Sequence, residues 1–153
     1  MRIALLAMLI GAFGTAWAED AFGVWRVTPI RWAAPYSDLV AVRFAPHAKG
    51  EVFTLDRMDA DGHATTSSTI LYFDGQPREL QDSGCVGTQS SRRVDRRTVE
   101  IVRTCVDGQR IRFVRRSAGP KDLVLEINAQ QPNGRRLERR LILTKQAGQV
   151  VLH

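Results

Sequence analysis

A chain of 153 residues with 22 Lys+Arg against 16 Asp+Glu carries a formal net charge of +6 at pH 7. That length suits one domain with a real core rather than several. Two cysteines and three histidines (His47, His63, His153), with no ligand spacing among them, argue against a zinc-built fold.

The first residues have the layout of a secretory signal peptide. Arg2 supplies a positive start, 3–13 is an apolar run, and Ala16-Trp17-Ala18 is a small-x-small cleavage site. The apolar run is shorter than the roughly 20 residues a spanning helix needs. The expectation is therefore a signal peptide over 1–18, cleavage before Glu19, and a single domain over 19–153 in the periplasm or outside the cell. No cysteine follows the cleavage site, so a lipid anchor is not expected, and no later segment reads as a transmembrane helix.

Beyond residue 19 helical periodicity is nearly absent and alternation is common. The segments 39–45, 51–58, 68–73, 98–105, 110–116, 123–129 and 136–144 read as strands with one apolar face. Turn residues separate them: "DADG" at 59–62, "DG" at 74–75 and 107–108, and "PNG" at 132–134. With a first strand at 20–27 and another before 94, nine strands emerge. A short tenth at 77–81 would give the even number that an antiparallel closed meander requires. The predicted fold is all-β, an up-and-down antiparallel meander of about 8–10 strands.

The stretch "VDRR" at 94–97 lies between two alternating runs, so a hairpin there brings Cys85 and Cys105 together across adjacent strands. In an exported chain this pair is expected to be a disulfide. Closing a loop of about 20 residues stabilises by roughly 3 kcal/mol in the chain-entropy model. A redox C-x-x-C motif is absent.

Short motifs carry a family resemblance. Gly23-x-Trp25 opens the first strand in "DAFGVWRV". Together with "DADGHATTSSTILYFDGQPREL", "SSRRVDRRTVEI" and "GRRLERRLILTK", it resembles small bacterial secreted lipocalin-like domains, of the calycin type shared by lipocalins and fatty-acid-binding proteins. The resemblance covers most of 20–145. It implies an up-and-down barrel with a small apolar ligand, structural roles for Gly23 and Trp25, and an arginine of the last strand, Arg139 or Arg140, lying over that tryptophan. The segment 28–38, "TPIRWAAPYSD", departs from the family opening and is too short for a helical lid.

Alternation also points arginines inward. Arg103 shares a face with Val99, Ile101 and Cys105; Arg115 shares one with Ile111 and Phe113; Arg139 shares one with Leu137, Leu141 and Leu143. Two readings stand. In one, Arg103, Arg115 and Arg139 grip an anionic head group in an apolar cavity beside Phe113. In the other, they sit near strand ends and reach water, or one caps Trp25. A basic rim at 92–97 and 115–116 could attract an anionic surface, but few aromatics are interleaved for stacking on nucleic acid. Arginine outnumbers lysine nineteen to three, which suits bidentate anion binding but is also what a GC-rich coding sequence yields.

No nucleophile elbow, paired-histidine motif or phosphate loop is present. "DADGH" lacks the closing Glu of a calcium loop. No enzyme activity, cofactor or metal is expected, and oligomeric state is not legible. The leading expectation is an exported binding module for a small apolar or amphipathic anionic ligand. The alternative is a protein-interaction or envelope-structural module whose barrel is filled by side chains such as Phe53, Leu71, Phe73 and Phe113.

Overall fold

The computed structural model describes residues 20–27 and 36–146. The expected signal peptide and most of the 28–38 segment lie outside the described residues. Ten strands follow in chain order: β1 (Gly23–Arg26), β2 (Leu39–His47), β3 (Gly50–Met58), β4 (Ala64–Leu71), β5 (Arg78–Asp82), β6 (Cys85–Arg93), β7 (Thr98–Cys105), β8 (Arg110–Ser117), β9 (Asp122–Gln130) and β10 (Arg136–Lys145). They form one antiparallel sheet in the order β4-β3-β2-β1-β10-β9-β8-β7-β6-β5. β1 and β10, the ends of the meander, pair directly, with Trp25 opposite Lys145. The short tenth strand is real, and it is β5.

The strands form where alternation is strongest. In β9, Leu123, Leu125, Ile127 and Ala129 are buried, and the residues between them are half-exposed. Leu125 lies opposite both Leu141 and Arg115, so three strands send side chains to one interior layer. The hairpin turns use a repeated device: the side chains of Asp59, Asp95, Asp107 and Asn133 each accept a backbone N–H two residues on. Such Asx turns offer the backbone a local partner where the ladder stops.

The sheet curls almost into a closed barrel. Its two edges, β4 and β5, are consecutive in the chain but share no ladder. At one end the seam is stitched to β6. Thr69 and Gln89 exchange side-chain hydrogen bonds of 3.3 and 2.9 Å. The amide of Phe73 donates to Oγ of Ser91 at 3.0 Å, and the amide of Gly75 donates to the Ser91 carbonyl at 2.9 Å. The "FDG" element is thus a fastener, and Phe73 takes a left-handed φ of 58° to make it. Towards the other end, Thr65–Ser67 and Gln81–Ser83 face each other across a cleft of about 220 Å³.

The core is dominated by fully buried Trp25, Phe44, Phe53, Phe113 and a set of Leu and Ile side chains. Each contributes about 1.5–3 kcal/mol on burial. The indole N–H of Trp25 donates to the Ala21 carbonyl at 2.8 Å, so its polar edge is satisfied.

Cys85 and Cys105 are bonded, with Cα atoms 5.2 Å apart. The ladder puts Cys105 opposite Gly87, not Cys85, so the bridge runs diagonally. A Cβ on Gly87 would sit 1.9 Å from the Thr104 carbonyl oxygen, a contact only glycine avoids.

Candidate functional site

The barrel interior is the place to look for a ligand, and the protein's own groups occupy it. Arg103 is 1% exposed. Its Nε donates to Oε1 of Gln89 at 2.9 Å, and its Nη1 donates to the Tyr36 hydroxyl at 3.0 Å and to Oδ2 of Asp82 at 2.6 Å. Burial pushes the Tyr36 hydroxyl pKa up, against the opposing pull of Arg103, so it stays a neutral partner at neutral pH. On the seam side, Gln89 is the residue held by Thr69, which ties the buried guanidinium to the stitched edge.

Arg115 is 2% exposed and holds a carboxylate too. Its Nη1 and Nη2 donate to Oε2 and Oε1 of Glu51 at 2.5 and 3.3 Å. Arg93 reaches the same Glu51 from the rim at 3.4 Å. The Nε of Arg115 is buried without a hydrogen-bond partner among the described residues. Its guanidinium lies 4.4 Å from the Phe44 ring centroid, a cation–π contact.

Between the two arginines runs an aromatic layer. Ring centroids are 5.3 Å apart for Tyr36–Phe113, 5.5 Å for Phe53–Phe113 and 5.4 Å for Phe44–Phe53. Leu71, expected as filling, is also fully buried, and Phe73 packs against the core from the rim under Arg93. A ligand head group would have to displace Glu51 or Asp82. Removing either partner of a buried pair strands a charge in low dielectric.

Arg139 does not join this site. It shares the inward parity of its strand, opposite Ile127, but its side chain is exposed and its Nη1 donates to the neighbouring Glu138 carbonyl. The reason is coverage. β1 is only four residues long and meets β10 at Thr144 and Lys145, so no described strand flanks β10 at 139. The expected arginine cap on Trp25 is corrected for the same reason. Lys145, not Arg139 or Arg140, lies over the indole, with Nζ 5.7 Å from the centroid. Gly23 makes the room: a Cβ there would sit 2.8 Å from Cε of Lys145.

Glu51, Asp82, Gln89 and Tyr36 escaped the reading of candidate residues. The first two had a signal. Glu51 shares parity with Phe53 and Leu55, and Asp82 follows Leu80 by two, so the alternation that turns the arginines inward turns these carboxylates inward as well.

Outside the barrel the basic rim is partly neutralised. Arg92 and Arg112 both pair with Glu100, at 2.8 and 2.5 Å. The Arg92 hydrogen bond, with that of Arg112, holds the Glu100 carboxyl below its ordinary pKa against partial burial. Asp59, Asp61 and His63 come within 4.8 Å of one another in the exposed β3–β4 turn. There Oδ1 of Asp59 accepts the amides of Asp61 and His63, so the cluster is the turn's own scaffold. No helix among the described residues is long and apolar enough to cross a membrane.

No family profile and no curated protein matches the chain. The nearly closed ten-stranded meander is consistent with a calycin-like fold, and no sequence match ties it to the lipocalins in particular.

Proposed function

We propose that the protein is an exported, non-enzymatic module that works through its outer surface, as a protein-interaction or envelope-structural barrel with a filled interior. One observation carries this reading: each inward arginine already holds an internal carboxylate, Arg103 with Asp82 and Arg115 with Glu51. The other reading, a cavity for an apolar or amphipathic anionic ligand, loses its grips to those pairs. Export is supported by the leader-like 1–18 and by a disulfide, which persists in oxidising compartments. Kinship with lipocalin-like domains belongs to the same proposal and rests on the short motifs around Gly23 and Trp25.

Native mass spectrometry of the purified protein, followed by organic extraction, tests it. The expected result is an apo mass, two hydrogens lighter than the reduced chain. A co-purifying fatty acid or lipid that is lost in Arg103→Ala or Arg115→Ala would overturn the filled-barrel reading.

A further inference from the structure

The outer face of β8–β10 carries a second arrangement of arginines. Arg110 lies opposite Gln130, and Gln130 lies opposite Arg136. One step along, Arg112 lies opposite Asn128, which lies opposite Glu138. All six point outward, because the residues that alternate with them, such as Ile111 and Ile127, point into the core. They line a cleft of about 260 Å³.

Their partners differ. Arg112 is engaged by Glu100. Among the described residues, Arg110, Arg136 and the Glu138 carboxylate have no ion pair, and the side-chain amides of Gln130 and Asn128 have no hydrogen bond. Two uncommitted guanidinium groups therefore flank one amide donor, on strands spaced about 4.8 Å from their neighbours.

We propose that this cleft binds a phosphate ester bearing a cationic amine, with Arg110 and Arg136 gripping the phosphate and Glu138 taking the amine. A carboxylate has two oxygens, which one guanidinium fork satisfies; a tetrahedral phosphate has enough for two forks and an amide. The cleft opens to solvent, so a phosphate seated on the guanidinium groups leaves room for a substituent beyond it. Glu138 stands two residues from Arg136 on the same face, about 7 Å along the strand. It repels a second anionic group and attracts a cation placed just beyond the phosphate. Phosphoethanolamine has that charge pattern, free or as a lipid head group.

The inference rests on the proposed function only in taking the outer face as the working surface. A lipid found inside the barrel would sink that function without touching this cleft. The test is a titration of the oxidised protein with phosphoethanolamine, inorganic phosphate, ethanolamine and acetate, following arginine Nε–Hε resonances by NMR. Saturable shifts of Arg110 and Arg136 are expected with the two phosphates and not with acetate. Arg110→Gln with Arg136→Gln, both exposed and so compatible with folding, should weaken binding at least about tenfold. Glu138→Gln should bring phosphoethanolamine down to the level of inorganic phosphate. Flotation with phosphatidylethanolamine-containing vesicles, against phosphatidylcholine alone, separates the sources: association lost in the double variant names the lipid, and binding of the free compound without association names the soluble ester. Absence of saturable shifts, shifts that survive the double variant, or acetate matching phosphate would overturn the proposal.

Discussion

The two buried arginines sit in one barrel under opposite conditions. Arg103 meets three different partners, Gln89, Tyr36 and Asp82, in a network with one charge of each sign. Among the described residues Arg115 has a single carboxylate, which it shares with Arg93, and its Nε has no hydrogen-bond partner. Each site has an aromatic held at positive φ, Tyr36 at 61° beside Arg103 and Phe73 at 58° beneath Arg93. Such a conformation costs about 1–3 kcal/mol at a non-glycine residue. The lesson is that burial alone does not define a charged site. Arg103 keeps two neutral hydrogen-bond partners beside its one counter-charge, whereas among the described residues Arg115 has Glu51 as its hydrogen-bond partner and the Phe44 ring beside it.

That contrast is open to breakage, and the largest effect is expected at Glu51. Glu51→Ala should destabilise by about 3–5 kcal/mol, since it strands Arg115. Asp82→Ala should cost less, because Gln89 and Tyr36 still hold Arg103. Urea unfolding of the two variants gives the order directly, and equal losses would erase the distinction. Next comes the disulfide, which lies beside the Arg103 network. Cys85→Ser with Cys105→Ser should cost roughly 3 kcal/mol in chain entropy, read as a fall in the unfolding midpoint. Tyr36→Phe should lose about 1 kcal/mol, since the Nη1 that reaches its hydroxyl keeps Asp82. A loss as large as that of Asp82→Ala would make the hydroxyl, not the carboxylate, the anchor.

The smallest effect is set by pH and lies outside both sites. Glu100 has its folded pKa held below the ordinary 4.5 by Arg92 first and Arg112 second. A depressed carboxylate stabilises the fold above its unfolded pKa, and that contribution disappears as pH falls through the folded value. Acid unfolding curves of the wild type and Arg92→Gln should therefore differ above pH 4.5 and converge in stronger acid.

Much of this architecture was legible in the chain. Alternation in 98–105, 110–116 and 123–129 marks β7, β8 and β9, and the turn at 94–97 brings the cysteines within reach. It also turns Arg103 and Arg115 inward. The same period turns the acids Glu51 and Asp82 inward, so these partners carry the same signal as the cations they hold. Arg139 departs from its parity for a different reason. Parity says which way a side chain points but not whether a neighbouring strand covers it, and the shortness of β1 decides that. Lys145 over Trp25 follows from the β1–β10 register, a long-range pairing that no local pattern encodes.

The unlaced seam between β4 and β5 has a mechanical consequence. A thin-walled tube slit along its length resists torsion far less than a closed one, because shear cannot circulate around its wall. Here the wall is made continuous at one end by the Phe73 and Gly75 bonds to Ser91. Towards the other end, among the described residues, the seam is bridged by the long contact of 3.4 Å from Arg57 to Ser83. Twist applied to the barrel is thus taken up at the Arg57 end, where Asp82 lines the slit and the Arg103 ion pair lies directly behind it.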